Sequence, residues 1–195
     1  MAAIESLKII TFNVNGLGNH CKQKDVFDYL RKSKFDIILI QESHWKSDSE
    51  NFIRSCWGYN CFLAGNSTNK GGAAILFNNT FEYKVHQYVK SDDDNYIILD
   101  IDLCNERVTL ANVYGPSDRD DSLFFENFFN RVKNIGNDKI LIGGDWNVPL
   151  DLNLDTRSYR GNSARTRSRQ TILNSITELE MVDVFREIYP NKMKF

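Results

Sequence analysis

Five strand-length runs, 59–64, 72–77, 81–89, 96–103 and 107–114, follow one another with only short polar connectors between them, such as Asn78-Asn79, Asp92-Asp93-Asp94-Asn95 and Asn105-Glu106. Connectors this short return a chain antiparallel to itself. An all-parallel sheet is therefore excluded, and two packed sheets with helices on their outer faces are expected. The flanking segments supply the rest. Residues 7–13 and 36–41 have strand composition, the latter through Ile37-Ile38-Leu39-Ile40, and between them Val26, Phe27 and Leu30 recur at helical spacing over 21–32. Downstream, Leu123, Phe124, Phe125, Phe128, Phe129 and Val132 form a wide apolar stripe on a helix over 121–134. A strand over 139–142 follows, then a polar stretch from Pro149 to about Ala164, then a last helix burying Ile172, Ile176 and Leu179. The expected fold class is α/β (α+β): a four-layer sandwich of two mainly antiparallel β-sheets flanked by helices. With 195 residues, 42% of them hydrophobic, the chain can build one good-sized core, so a single domain over 1–195 is expected.

Four scattered cysteines, no secretory leader and no long apolar span suggest a reduced, intracellular protein that does not enter a membrane. The formal charge of -2 gives no global basic field, so a grip on nucleic acid would need a local patch. His20, His44 and His86 lack the spacing of zinc ligands.

Several expected strands end in polar groups that a core does not need. The first ends at Asn13, the second at Gln41-Glu42, the seventh at Asn112-Val113-Tyr114, and the eighth runs through Gly143-Gly144 into Asp145 and Asn147. Taken singly, Asn13 reads as a turn former, Glu42 as a solvent-facing strand end, and Tyr114 as a half-buried core aromatic. If the strand ends converge at one rim, they gather hard oxygen donors suited to Mg²⁺ or Mn²⁺. No Ser-His or Cys-His pair is evident, so water would be the attacking group and the metal would stabilise phosphoryl charge.

Five segments in order, Thr11-Phe12-Asn13-Val14-Asn15-Gly16, Ile40-Gln41-Glu42-Ser43-His44, Gly71-Gly72-Ala73-Ala74-Ile75-Leu76, Asn112-Val113-Tyr114-Gly115-Pro116 and Gly144-Asp145-Trp146-Asn147, resemble the endonuclease/exonuclease/phosphatase superfamily. Within it the chain looks most like the apurinic-type endonuclease domain of non-LTR (LINE-type) retrotransposons. The resemblance implies a Mg²⁺-dependent nuclease that nicks DNA to leave a 3′-hydroxyl, as one part of a polyprotein that also carries a reverse transcriptase. A nuclear location is plausible for such a protein. By similarity, Glu42 is the principal metal ligand, with Asn13 in the metal shell or holding Glu42 in place. Tyr114 would contact the scissile phosphate, Asp145 would orient or deprotonate the attacking water, and Asn147 would hold that water or a phosphate oxygen. In some descriptions of the family, Asp145 and Asn147 also count as metal-site residues. Trp146 stands where Phe is commoner.

The family's Ser-x-x-Asp-type segment and closing Ser-Asp-His do not occur in these 195 residues, which end at Lys192-Met193-Lys194-Phe195. The expectation is a domain lacking its last strands, weakly active or inactive alone, with an uncovered sheet edge and a tendency to aggregate. Candidate contacts to DNA are Arg157, Arg160, Arg165, Arg167 and Arg169, which lie within thirteen residues, and more weakly Lys70. The cluster reads equally as a solvated loop and first helical turn. Alternatives are a cellular apurinic/apyrimidinic endonuclease or exonuclease III-like repair enzyme, a phosphatase of the same superfamily, and a non-catalytic nucleic-acid-binding remnant.

Overall fold

The computed structural model describes residues 6–65, 71–79, 81–156 and 165–193. The chain forms two compact units, Met1–Tyr114 with Val132–Asp145, and Gly115–Arg131 with Trp146–Phe195.

Among the described residues the first unit contains every strand. One sheet has the order β1-β2-β4-β3, with β1 Ile9–Asn13, β2 Ile37–Gln41, β3 Cys61–Ala64 and β4 Ala73–Phe77; the other has the order β5-β6-β7-β8, with β5 Tyr83–Lys90, β6 Tyr96–Leu103, β7 Glu106–Tyr114 and β8 Ile140–Asp145. The β1/β2 and β7/β8 pairs are parallel and the other four are antiparallel. This is the expected two-sheet α/β sandwich, mainly antiparallel in its pairings.

Strand alternation divides the apolar residues between two cores. On β2, Ile37 and Leu39 join Ala73, Ile75 and Phe77 of β4 and Ile97, Leu99, Ile101 and Leu110 of the second sheet. Their neighbours Ile38, Ile40, Ala74 and Leu76 point the other way, onto Phe27 and Leu30 of helix α1 (His20–Lys32) and onto Ile53 and Trp57 of helix α2 (Glu50–Trp57). Each buried Ile or Leu stabilises the fold by about 1.5–3 kcal/mol. Both faces of β2 and β4 are therefore buried, as their unbroken Ile/Leu/Ala composition requires. The outer strands differ: Phe12 on β1 is 37% exposed and Leu141 on β8 is 39% exposed. At the edge strand β5, the register shifts between Val85 and Gln87, and His86 at the bulge pairs with Asp102 at 2.7 Å.

The second unit holds most of helix α3 (Ser122–Ile135), all of α4 (Thr166–Glu178) and the short α5 (Val184–Ile188). Phe125 and Phe129 stack on Trp146, and Phe128 meets the same indole edge-on. The Asp120 carboxylate accepts from the backbone N–H groups of Arg167 and Ser168, capping α4 from outside the helix. Burial alone would raise the Asp120 carboxyl, but hydrogen bonds from Ser168 and the Arg167 amide outweigh it and leave it lowered. Among the described residues no helix is long and apolar enough to cross a membrane.

Candidate active site

Parallel pairing sets the C-terminal ends of β1 and β2 side by side, and likewise those of β7 and β8. Asn13 is the register partner of Gln41, one residue before Glu42, and Tyr114 is the partner of Asp145. At that rim the Asn13 carboxamide donates to both acids, to Glu42 Oε1 at 3.0 Å and to Asp145 Oδ2 at 2.8 Å. Ionised carboxylates can only accept, so this contact fixes which end of the amide faces them. The Asn13 Oδ1 accepts from the Asn15 amide at 3.0 Å. Asn13 thus holds the two carboxylates together, and the oxygens of Glu42 and Asp145 are the hard donors of the rim. Tyr114 is 9% exposed, so only a small part of it meets solvent.

The backbone around Glu42 is strained. Asn15, Glu42 and His44 have φ of 46°, 53° and 54°, in the left-handed region that non-glycine residues rarely enter. Hydrogen bonds from both sides keep them there. Gly16 and Leu17 amides donate to the Glu42 and Ser43 carbonyls, while Ser43 and His44 amides donate to the carbonyls of Gly72 and Gly71. Lys22 adds a third restraint, its ammonium bonding the Val14 carbonyl at 2.7 Å and the Asn15 carbonyl at 2.8 Å. Gly72 has φ +90°, and a Cβ there would stand 2.4 Å from Ser43 Oγ. At Gly144 a Cβ would fall 2.0 Å from the Val113 carbonyl oxygen, which explains the glycine ahead of Asp145: β8 presses its backbone against β7 at this point.

Two of the strand-end polar residues, Gln41 and Asn112, are not at the rim but belong to the core, where they form a polar network directly beneath it. Asn112, fully buried, donates to the carbonyls of Ile40 at 2.7 Å and Ala74 at 2.8 Å and accepts from Gln41 Nε2 at 2.6 Å. Gln41 in turn accepts from the Thr11 hydroxyl. The network ties β7 of one sheet to β1, β2 and β4 of the other, one residue short of Glu42 and two short of Tyr114. A polar residue inside an apolar run was the available signal. His44 is a further neighbour, its Nε2 3.8 Å from Glu42 Oε2. Among the described residues no three His, Cys, Asp or Glu side chains are grouped to hold a metal ion.

Asn147 belongs to the second unit, has φ 52° and donates from its carboxamide to the Gly115 carbonyl at 2.9 Å. Arg165 has backbone partners of its own. Its guanidinium bonds the carbonyls of Pro116, Ser117 and Asn147 with three of its five N–H donors, so it works as a clamp between two segments of the second unit. Arg167, in the first turn of α4, is exposed, and Arg169 on the same turn is partly exposed. Lys70, Arg157 and Arg160 lie outside the described residues.

Residues 10–172 match the model of the Endonuclease/Exonuclease/phosphatase family. Two curated relatives are each 26% identical: a Xenopus laevis protein described as "Transposon TX1 uncharacterized 149 kDa protein", over 97% of this chain, and the RNA-directed DNA polymerase from mobile element jockey of Drosophila funebris, over 76%. The matched regions are 14% and 15% of those relatives' own lengths. Among solved structures, an AP endonuclease from Archaeoglobus fulgidus superposes with a TM-score of 0.76 at 22% identity, covering 97% of this chain and 77% of that one. The endonuclease domain of TRAS1, a telomere-specific non-LTR retrotransposon, does so with a TM-score of 0.59 at 17% identity, covering 89% and 72%. At these identities the structural matches speak for the fold.

Proposed function

We propose that this chain, which belongs to the Endonuclease/Exonuclease/phosphatase family, nicks DNA by divalent-metal-dependent hydrolysis and leaves a 3′-hydroxyl, as in retrotransposon target-site cleavage. The observation that carries the reading is the Asn13 amide holding Glu42 and Asp145 together at the end of four strands. Two carboxylates linked by one neutral donor fit a hard cation such as Mg²⁺ or Mn²⁺, which keeps water and phosphate oxygens in the rest of its shell. Glu42 and Asp145 would hold it, with Asn13 fixing their separation. Such a cation supplies positive charge against the phosphoryl and leaving oxygens.

The remaining roles fall to the chain's own groups. Asp145 accepts the proton of the attacking water as its oxygen bonds to phosphorus. The P–O3′ bond breaks and the leaving O3′ takes a proton from solvent, so the upstream strand ends in a 3′-hydroxyl and the downstream strand keeps a 5′-phosphate. Tyr114, beside Asp145 in the sheet, offers its phenol to a phosphate oxygen. Asn147 positions the water or a phosphate oxygen, and Arg167 and Arg169 contact the DNA backbone. The jockey relative, described as an RNA-directed DNA polymerase, supports a parent protein that also carries a reverse transcriptase. These 195 residues contain no Ser-Asp-His sequence, so the rate they sustain alone should be low, because one missing charged donor at a phosphoryl centre costs on the order of 10²–10³.

Plasmid nicking at stoichiometric protein tests the proposal. Supercoiled DNA should be nicked slowly with Mg²⁺, the nick should be extendable by a DNA polymerase without prior phosphatase treatment, and Glu42→Ala should abolish both the nicking and the Mg²⁺-induced rise in Tm. Nicking that survives Glu42→Ala or excess chelator would overturn it. A duplex with a single abasic site, run in parallel, separates the repair-enzyme reading: cleavage confined to that site would favour it.

A further inference from the structure

At the end of the first sheet remote from Glu42, an open cleft of about 500 Å³ is lined mostly by cations where it carries charge, although the chain as a whole is mildly acidic. It lies where β1 and β2 begin and β4 ends, since the Asn78 amide bonds the Asp36 carbonyl and the Lys8 amide bonds the Asp36 carboxylate. Lys8 is five residues before Asn13 along an extended strand, about 16 Å from the catalytic rim. Four cationic residues line the cleft, Lys8, Arg31, Lys32 and Lys34, against one acid, Asp36.

Arg31 has structural employment: it bonds the carbonyls of Cys56 and Trp57 and the Asp28 carboxylate. Lys32 closes the last turn of α1, where a cation suits the helix dipole. Neither reason extends to Lys8 or Lys34. Lys8, Lys32 and Lys34 are all exposed, and among the described residues none has a carboxylate within 4.0 Å. Asp36 already accepts from the Lys8 backbone. The cleft also holds an aromatic surface: Tyr59 is 44% exposed, standing edge-to-face at 83° to the buried Trp57, which fixes its place.

We propose that this cleft is a second nucleic-acid-binding site, in which Lys8, Lys32 and Lys34 contact the phosphates of a single strand and Tyr59 stacks on one of its bases. Three ammonium groups without a carboxylate partner among the described residues, around an open, polar cleft, suit a chain of phosphates, and an exposed ring beside them suits an unstacked base rather than the closed edge of a duplex. Contacts of this kind are independent of base sequence. The site is separate from the catalytic rim and does not depend on how that rim works.

Fluorescence anisotropy of a labelled oligothymidylate of about 12 nucleotides, measured in EDTA across a salt series, tests it. The K8Q/K32Q/K34Q variant should bind on the order of tenfold more weakly at low salt, and its slope of log K against log salt should be shallower by about 2, as expected for three lost phosphate contacts on a single strand. Tyr59→Leu should weaken binding without changing the slope. Inorganic phosphate matched in ionic strength to chloride should not displace the oligonucleotide from the wild-type protein. An unchanged affinity and slope in the triple-lysine variant would overturn the proposal. So would complete displacement by phosphate, which would make the cleft a site for a free phosphate group instead.

Discussion

Asn112 never reaches the rim, yet its carboxamide answers to three groups on the opposite sheet. Replacing it with Leu removes a donor from two carbonyls and the acceptor from one Gln41 N–H in a dry interior, Gln41 keeping only its bond to the Leu39 carbonyl. At about 1 kcal/mol or more for each lost bond, urea denaturation should show a loss of about 3 kcal/mol. Asn112 and Gln41 act as one unit, so Gln41→Ala should cost markedly less in the Asn112→Leu background than in the wild type. Backbone strain gives a second contrast. Gly72→Ala should destabilise by about 1–2 kcal/mol, because the new Cβ meets Ser43 at a positive φ, whereas Gly18→Ala, with nothing within 4 Å, should be neutral or slightly stabilising. Asn13, Glu42 and Asp145 were legible because a polar group closing an apolar run has no packing purpose. Gln41 and Asn112 carry the same signal but are buried in the core. Their role was not legible, because what a buried amide does depends on which strand it meets, and sheet pairing is not written in either run.

At the level of elements, strand alternation and helical spacing located all eight strands and the three longer helices, while ends and short pieces escaped. β8 extends three residues beyond Ile142, through Gly143-Gly144 to Asp145, because β7 offers ladder partners there that outweigh the low strand preference of glycine. Helix α2 was missed. It has eight residues, its N-cap side chain makes no capping bond, and it is held by the burial of Ile53 and Trp57. The signal for it was Gly58, which ends the helix at φ 82°. The α4 terminus offers a test at this scale: Asp120→Ala removes the acceptor for two backbone N–H groups and should cost about 1 kcal/mol in thermal unfolding. Arg165→Gln should likewise lower stability while leaving the salt dependence of DNA binding unchanged, unlike R167A/R169A, which should make it shallower.

Across the molecule, charge couples stability to acidity. Asp100 on β6 is held by Arg107 across the strand pair, and with further help from Asn137 its carboxyl is lowered from the ordinary 3.8 to about 2 despite burial. A depressed carboxyl stabilises the folded state above its unfolded value and loses that contribution as pH falls from about 3.8 to about 2. Asp100→Asn should therefore have a lower Tm than wild type at pH 7, with the gap closing through that window and gone below it. The layout of two sheets was legible from the hairpin run because short connectors leave few topologies open. The division of the chain into two compact units, which cuts through α3 and directly after Asp145, was not, since no change of composition marks either place.

The three left-handed residues around the rim bear on how the protein comes into being. Asn15, Glu42 and His44 hold unfavourable conformations only while the loops after β1 and before β4 grip the segment between them. Asn and His tolerate that region better than most residues, but Glu42 would not choose it alone, so no early, partly ordered form of the chain should present the rim. Refolding followed by hydrogen exchange should find the amides of Gly16, Leu17, Ser43 and His44 protected together and late, after the interior of β2 and β4. The rim would then be a product of completed folding, and a destabilised variant would lose it before losing its shape.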